Sequence, residues 1–190
     1  MVATAPQELL TSVENAAGKP FTLEDFMQNP PQDMEWVDGE LIEKTGMTLR
    51  HSLVQGRLVS GWKAYAVSSG QQGEVYPEVP CRTAKQGRRP DVAYLPAELV
   101  AQFGREKVLP QSFPLIAEVA SPDDRAEELF AKAIEYLESG AEEVWLVFPE
   151  ARLILVKTIE HPWQLSTLGQ LISTQKVLQG FSASVDELFQ

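Results

Sequence analysis

Two acidic residues stand in apolar surroundings that would penalise an uncompensated negative charge. Glu118 interrupts the apolar run from Leu115 to Ala120, and Asp91 directly precedes the apolar residues 92–95. An ionised carboxylate in such a place is costly unless a cation pairs with it. A lysine would serve, and so would a hard divalent ion such as Mg²⁺, which prefers carboxylate and carbonyl oxygens.

Both acids fall on predicted strands, which would fix the distance between them. Apolar runs predict strands over 91–95 and 115–120, and paired strands lie roughly 5 Å apart. If these two strands pair, the acids face each other, which is destabilising without a cation between them. Carboxylates on rigid strands with a lysine nearby are what metal-dependent phosphodiester cleavage requires.

A lysine follows on the next predicted element. The segment from Ser121 to Gly140 begins with an N-cap residue and a proline and ends in glycine, which predicts a helix. Lys132 and Tyr136 share one side of it. A helix packed on the sheet would therefore bring the Lys132 ammonium toward Glu118, where it would orient attacking water or neutralise developing charge.

Each of these residues also has a purely structural explanation, and the sequence leaves it open. Glu118 would be satisfied by Arg125, by Lys132 or by free amides at the helix start. Asp91 would be satisfied by local amides or by Arg89. Lys132 would equally form an ordinary ion pair with an acid one turn away on its own helix.

The remaining pattern predicts a mixed sheet covered by helices. Helices are predicted after Thr22, over 51–66 and over 184–189, and further strands over 74–83, 143–148 and 152–159. Asp-Gly at 38–39, between two short apolar arms, predicts a hairpin over 35–44. This order of elements indicates the α/β (α+β) class.

The composition is that of one globular domain in a reducing compartment. The chain has 190 residues, of which 44% are hydrophobic and 23% charged, enough for a real core. The lone Cys81 cannot form an internal disulfide. We see no signal peptide and no membrane span, so we expect a cytoplasmic protein. Residues 1–20 are predicted to be a loosely ordered lead-in and 21–190 a single domain.

The charge is unevenly distributed. A net charge of −11 argues against general nucleic-acid binding. The middle third, residues 50–107, nevertheless has a balance of +4, whereas both flanking segments are acidic. Four basic residues fall there within eight positions: Arg82, Lys85, Arg88 and Arg89. This strip is either a solvated loop or a local surface for phosphate groups.

A series of motifs runs through the chain in a fixed order. Asp-Gly-Glu at 38–40 is followed by a helix with His51, then by Pro-Asp-Val at 90–92, Ala-Glu-Val-Ala-Ser-Pro at 117–122 and Gly-Ala-Glu-Glu-Val-Trp-Leu-Val at 140–147. Together they resemble the Uma-two family of endonucleases, common in cyanobacteria. That family lies within the restriction-endonuclease-like superfamily with its Pro-Asp…(Asp/Glu)-x-Lys signature. The resemblance covers roughly residues 21–189.

The resemblance implies a restriction-endonuclease-like core, with a mixed β-sheet, flanking helices and an N-terminal hairpin. In it Asp91 and Glu118, together with Val119, would hold Mg²⁺, or Mn²⁺ as a substitute. Glu40 would be a third acid of the catalytic site.

One position departs from the superfamily signature. A lysine is expected two residues after the second acid, where this chain has Ala120. In the family the lysine comes from the helix, which matches Lys132. The residues expected to contact substrate are His51, Arg88, Arg89 and Tyr136.

The leading hypothesis is a magnesium-dependent endonuclease that hydrolyses DNA as a homodimer, with the aromatic hairpin over 145–159 as the interface. The alternative is a catalytically inactive protein of the same fold that binds nucleic acid or another protein. Its motivation is the net charge and the missing lysine at position 120. An enzyme acting on another phosphate ester has no sequence support of its own.

Overall fold

A mixed sheet of six strands forms the centre of the structure, which is a computed structural model that describes residues 18–190. Residues 1–17 of the predicted lead-in lie outside the described residues. The helices are α1 (Leu23–Gln28), α2 (Leu49–Ser68), α3 (Ala97–Phe103), α4 (Ala126–Glu138) and α5 (Val185–Phe189). The strands are β1 (Met34–Val37), β2 (Glu40–Glu43), β3 (Glu74–Pro77), β4 (Cys81–Arg82), β5 (Gly87–Arg88), β6 (Val92–Leu95), β7 (Leu115–Val119), β8 (Glu143–Phe148), β9 (Leu153–Thr158), β10 (Gln164–Thr167), β11 (Leu171–Ser173) and β12 (Ser182–Ser184).

The strand order of the central sheet explains the position of its crossover helix. In space the order is β10-β9-β8-β7-β6-β3. β7 and β8 are parallel, so the chain must cross over between them, and α4 makes that crossover. The other neighbouring strands are antiparallel. The predicted mixed sheet is therefore confirmed.

A smaller sheet contains the predicted N-terminal hairpin. Its strand order is β2-β1-β5-β4. The turn between β1 and β2 has positive φ at both Asp38 (51°) and Gly39 (96°). That geometry suits the twist of a two-residue hairpin, which is why Asp-Gly was informative. The ladder continues past β2, because the Lys44 N–H donates to the Asp33 carbonyl oxygen.

Each face of the central sheet carries one long helix. On the first face, Trp62 of α2 packs edge-on against Trp145 of β8, with 5.6 Å between ring centroids. On the second face, Ala133 of α4 and Ile116 of β7 are fully buried in one cluster. Because Trp145 is buried and β8 is an interior strand, that ring of the 145–159 hairpin does not reach the surface.

Two predicted elements differ from the structure. The strand predicted over 74–83 is interrupted at Glu78, which has a φ of 53°, so its two parts join different sheets as β3 and β4. The helix predicted after Ser121 begins only at Ala126. The Ser121 N–H donates to Asp124 Oδ2 at 2.7 Å and the Asp124 N–H returns to the Ser121 carbonyl. Side-chain capping here stabilises a turn in place of the first helical residues.

The other helices follow the predictions, with some additions. Thr22 caps α1 through a capping box with Asp25, and α5 begins after Ser184, although no side-chain cap bond forms there. Helix α3 and strands β10 to β12 lacked a clear sequence pattern. None of the helices in residues 18–190 combines the length and apolar character that crossing a bilayer takes.

The packing of α1 on the smaller sheet leaves no room for a side chain at Gly87. Phe26 of α1 is fully buried, and a Cβ built on Gly87 would overlap its ring. The Gly87→Ala variant should therefore lose about 1–3 kcal/mol of unfolding free energy, as overpacked cores do. Urea denaturation measures this change.

Gly56 in α2 is the matched control, because a Cβ there meets nothing within 4 Å. Gly56→Ala should gain up to about 1 kcal/mol, since alanine is the better helix former. Equal effects of the two substitutions would contradict the close approach of Phe26 to Gly87.

Candidate active site

An open cavity of about 560 Å³ lies between the β1–β2 hairpin, the start of α2, the end of β7 and helix α4. Its lining is unusually rich in ionisable groups. They include Glu35, Lys44, His51, Asp91, Glu118 and Lys132. Four of these six, the exceptions being Glu35 and Lys44, were predicted from sequence as site residues, and the fold brings them together.

The two predicted acids lie opposite each other at the floor of this cavity. β6 pairs with β7 in a register that sets Val92 against Ala117. One further step along this antiparallel register sets Asp91 against Glu118. Both side chains are almost completely buried. The pairing of the two strands, on which the sequence argument depended, is confirmed.

Asp91 has a partner on each carboxylate oxygen. Lys44 Nζ lies 2.6 Å from Oδ1, and the Val119 backbone N–H donates to Oδ2 at 2.6 Å. His51 Nε2 lies 3.3 Å from Oδ2. Burial raises the pKa of Asp91, but Lys44 and the hydrogen bond from His51 outweigh it and hold that pKa below its usual range. Asp91 is therefore ionised at neutral pH.

Lys44 sits among three oxygen atoms. Besides Asp91, its Nζ contacts Glu78 Oε2 at 2.8 Å and donates to the Arg89 backbone carbonyl at 2.7 Å. Burial lowers the pKa of Lys44, but the carboxylates of Asp91, Glu118 and Glu78 raise it well above its ordinary value. This ammonium therefore stays protonated and acts as the counter-ion of Asp91.

Glu118 is held by the neighbouring helix. The Tyr136 hydroxyl donates to Oε1 at 2.7 Å, and Lys132 Nζ lies 3.3 Å away. Burial raises the pKa of Glu118 to about 7, because the attraction of Lys132 only partly offsets it and Asp91 adds repulsion. Glu118 thus holds its negative charge far less firmly than Asp91.

Lys132 bridges two acids. Its Nζ lies 2.9 Å from Glu35 Oε1 as well as 3.3 Å from Glu118. Arg88 reaches the other Glu35 oxygen at 3.1 Å. Burial lowers the pKa of Lys132, but Glu118 and Glu35 raise it overall, so Lys132 is a cation at neutral pH. It is equipped to neutralise charge and not to accept a proton.

Four predicted site residues differ from expectation. Tyr136, predicted as a substrate contact, is fully buried and does not line the cavity, whereas Arg88 does line it. Glu40 is exposed at the start of β2 and does not line the cavity. Arg88 is engaged by Glu35 and Glu135, and Arg89 donates to backbone carbonyls, including that of Glu78 at 2.6 Å. The arginines of the basic strip nearest the site therefore bind the protein itself.

Glu35, Lys44 and Glu78 belong to the charged cluster but were not predicted. The signal that revealed Glu118, an acid between apolar residues, also applies to Glu35 between Met34 and Trp36. Lys44 is the last residue of the predicted hairpin, and no pattern in the neighbouring residues indicates a role in the site. Glu78 lies at the unforeseen interruption between β3 and β4.

The donors in this cavity suit a hard divalent cation, because they are carboxylate oxygens. In residues 18–190, however, no group of three or more His, Cys, Asp or Glu side chains is arranged to hold a metal ion. The ammonium groups of Lys44 and Lys132 lie between these acids, so the charged groups of the cavity form ion pairs with one another.

Comparisons with known proteins address the fold and the family. The sequence model of a family described as "Uma2: Putative restriction endonuclease" matches residues 21–186. A crystal structure described as "a putative nuclease belonging to DUF820 from Anabaena variabilis ATCC 29413" is similar, with a TM-score of 0.78 at 18% sequence identity. The match covers 90% of this chain and 98% of that chain. No curated protein matches. The structural match confirms the predicted fold, a mixed sheet flanked by helices.

The Tyr136 hydroxyl should contribute measurably to stability because it satisfies a buried carboxyl group. Tyr136→Phe should lower the unfolding free energy by about 1–3 kcal/mol, the usual cost of an unsatisfied buried partner. Urea denaturation in the presence of a chelator measures this loss. Tyr65→Phe is the control, because its hydroxyl donates to the Gln179 carbonyl at an exposed position. A loss at Tyr65 as large as that at Tyr136 would refute the buried bond to Glu118.

Proposed function

The chain belongs to the Uma2 family, described as putative restriction endonucleases, and we propose that it is a metal-dependent endonuclease that hydrolyses phosphodiester bonds in DNA. The observation that carries the proposal is the opposition of Asp91 and Glu118 across β6 and β7, with the Lys132 ammonium 3.3 Å from Glu118. This is the pair of acids with a neighbouring lysine that such cleavage needs, held at two interior strands of the central sheet.

In this proposal Asp91, Glu118 and Val119 hold the divalent ion, with Mg²⁺ the first choice and Mn²⁺ a substitute. When bound, such an ion polarises a phosphate oxygen and lowers the pKa of a water molecule. Asp91 suits the role of permanent ligand, because its depressed pKa keeps it ionised. Val119 already fixes the Asp91 carboxylate through its backbone N–H.

Lys132 acts on charge and not as the base that takes a proton from water. Its raised pKa keeps it protonated, so its ammonium can stabilise the negative charge that builds up at phosphorus in the transition state. Tyr136 and Glu35 are positioning residues. The first fixes Glu118 by a 2.7 Å hydrogen bond, and the second holds Lys132 at 2.9 Å.

The third acid in this proposal is Glu35 and not Glu40. Glu35 is buried and reaches Lys132, whereas Glu40 is exposed and lies outside the cavity lining. His51 is 3.3 Å from Asp91, which supports a role in orienting that carboxylate.

Access of DNA to the cavity depends on its rim. Arg125 lines the cavity and its side chain is 71% exposed, so it is placed to meet a phosphate group. Arg88 and Arg89 are occupied within the protein, and in this proposal they support Glu35 and the chain around Glu78. We further propose that residues 21–190 act as one domain and that the protein works as a homodimer, which suits the cutting of two antiparallel strands.

The second candidate is an inactive protein of the same fold that binds nucleic acid or a protein partner. The arrangement of the acids supports it. Each buried acid of the cavity has a cationic partner within the described chain, and Lys44 and Lys132 supply most of them. A site stabilised in this way does not depend on a metal ion for its charge balance.

The isosteric variants Asp91→Asn and Glu118→Gln should each lower DNA cleavage by at least about 100-fold, because each removes a metal ligand while preserving shape. Nicking of supercoiled plasmid with Mg²⁺ or Mn²⁺ measures the rate, and circular dichroism verifies the fold. Glu74→Gln is the control, since Glu74 is exposed and pairs with Lys63 away from the cavity.

Cleavage by the two cavity variants at the wild-type rate would disprove the assignment of the acids. A wild-type protein that binds DNA but cuts none with either metal would favour the inactive alternative.

A further inference from the structure

A metal ion that approaches Asp91 meets groups that already contact its carboxylate. Oδ2 accepts the Val119 N–H at 2.6 Å and lies 3.3 Å from His51 Nε2, and Oδ1 lies 2.6 Å from Lys44 Nζ. Both carboxylate oxygens are therefore engaged. What matters is which of these partners a metal ion would displace from Asp91.

The partners on Oδ2 are the less exchangeable ones. Val119 belongs to a central strand whose backbone is paired with β8, so its amide cannot move without disrupting the sheet. The His51 side chain is almost completely buried on α2. A buried backbone amide left without an acceptor would cost about 1–3 kcal/mol. A metal ion is therefore not expected to displace these groups.

The partner on Oδ1 is built differently. The Lys44 side chain is a flexible four-carbon stem, it is 18% exposed, and it lines the open cavity. It lies directly after β2, in a hairpin whose outer residues are exposed. Its ammonium can leave Asp91 for solvent by rotation of its own side chain, with no change in the central sheet.

The contacts of Lys44 are also those of a bound cation. Its ammonium is surrounded by carboxylate oxygens of Asp91 and Glu78 and by the Arg89 carbonyl oxygen, at 2.6 to 2.8 Å. Oxygen atoms of these two kinds are the ligands that hard divalent cations take. A positive charge of either origin satisfies the same acids.

We propose that Lys44 is a resident counter-ion that competes with the divalent metal ion for Asp91, so that metal binds only as the Lys44 ammonium leaves. This inference rests on the proposed function, because it concerns the same carboxylate. Lys44 lowers the apparent metal affinity by the free energy of the contacts it must surrender. It is a positioning residue that holds the site together between metal-binding events.

Replacement of Lys44 separates this role from a purely structural one. Lys44→Met keeps an unbranched side chain of nearly the same length and removes its charge. The variant should be less stable without metal, because buried carboxylates lose their counter-ion. It should also bind metal more tightly, because the competitor is gone. A purely structural lysine would produce the first effect and leave metal affinity unchanged or weaker.

The test is a calorimetric titration of MnCl₂ into protein freed of metal by a chelator, together with melting temperatures at each concentration. Lys44→Met should lower the Kd for Mn²⁺ by at least about tenfold and enlarge the rise in melting temperature at saturation. Lys63→Met is the matched control, since Lys63 pairs with Glu74 at an exposed site and its loss changes the net charge equally. The control should keep the Kd within about twofold of the wild type.

A second variant keeps the test valid if Lys44→Met alone fails to fold. Lys44→Met combined with Glu78→Gln removes one positive and one negative charge together, and Asp91 keeps its contacts to His51 and Val119. This double variant should bind Mn²⁺ more tightly than the wild-type protein and fold more stably than Lys44→Met alone.

The outcomes are distinct. Tighter binding by the Lys44 variants, with the control unchanged, supports the competition. Binding by the wild-type protein that neither Lys44 variant strengthens overturns the competition and leaves the proposed metal site intact. Binding by no variant overturns the proposed metal dependence, and the competition falls with it.

Discussion

The interior charge balance of the cavity is the constraint on which the site depends. A carboxylate removed from water costs several kcal/mol unless a cation or hydrogen-bond donors replace its hydration. Asp91 and Glu118 face each other, so each also raises the cost of ionising the other. Lys44 relieves that cost at Asp91 and Lys132 relieves it at Glu118. The acids remain near each other because the sheet fixes their backbones, and they are tolerated because two ammoniums reach them.

The acids of the cavity are held by the backbone of the central sheet, whereas their counter-ions are on long side chains from other elements. Glu118 belongs to β7, Asp91 directly precedes β6, and the amide of Val119 binds Asp91 at the end of β7. The cations come from elsewhere, Lys44 from the chain after the hairpin and Lys132 from α4. Carboxylates at fixed distances, with counter-ions on longer and more adaptable side chains, are what the proposed exchange of Lys44 for a metal ion requires.

Sequence reasoning recovered those parts of the site that lie in regular elements with clear patterns. Apolar periodicity predicts the strands next to Asp91 and Glu118, and it also predicts the helix of Lys132. Glu78 and Lys44 escaped because their positions depend on an interruption of a strand and on the packing of a hairpin against a distant sheet. Neither has a local signal. The predicted start of the helix at Ser121 was wrong for a similar reason, because the hydrogen bonds between Ser121 and Asp124 compete with helix formation.

The wide spacing of the cluster along the chain has a consequence for synthesis at the ribosome. Lys44 and Asp91 are separated by 47 residues, and Glu118 meets its partner Tyr136 only on the crossover helix. Contacts of such long range form late, after the intervening loops have closed. A nascent chain that has emerged as far as β6 contains Lys44 and Asp91 but neither Glu118 nor the helix that holds it. The cavity is complete only after helix α4 packs on the sheet, so an incomplete chain has no assembled site.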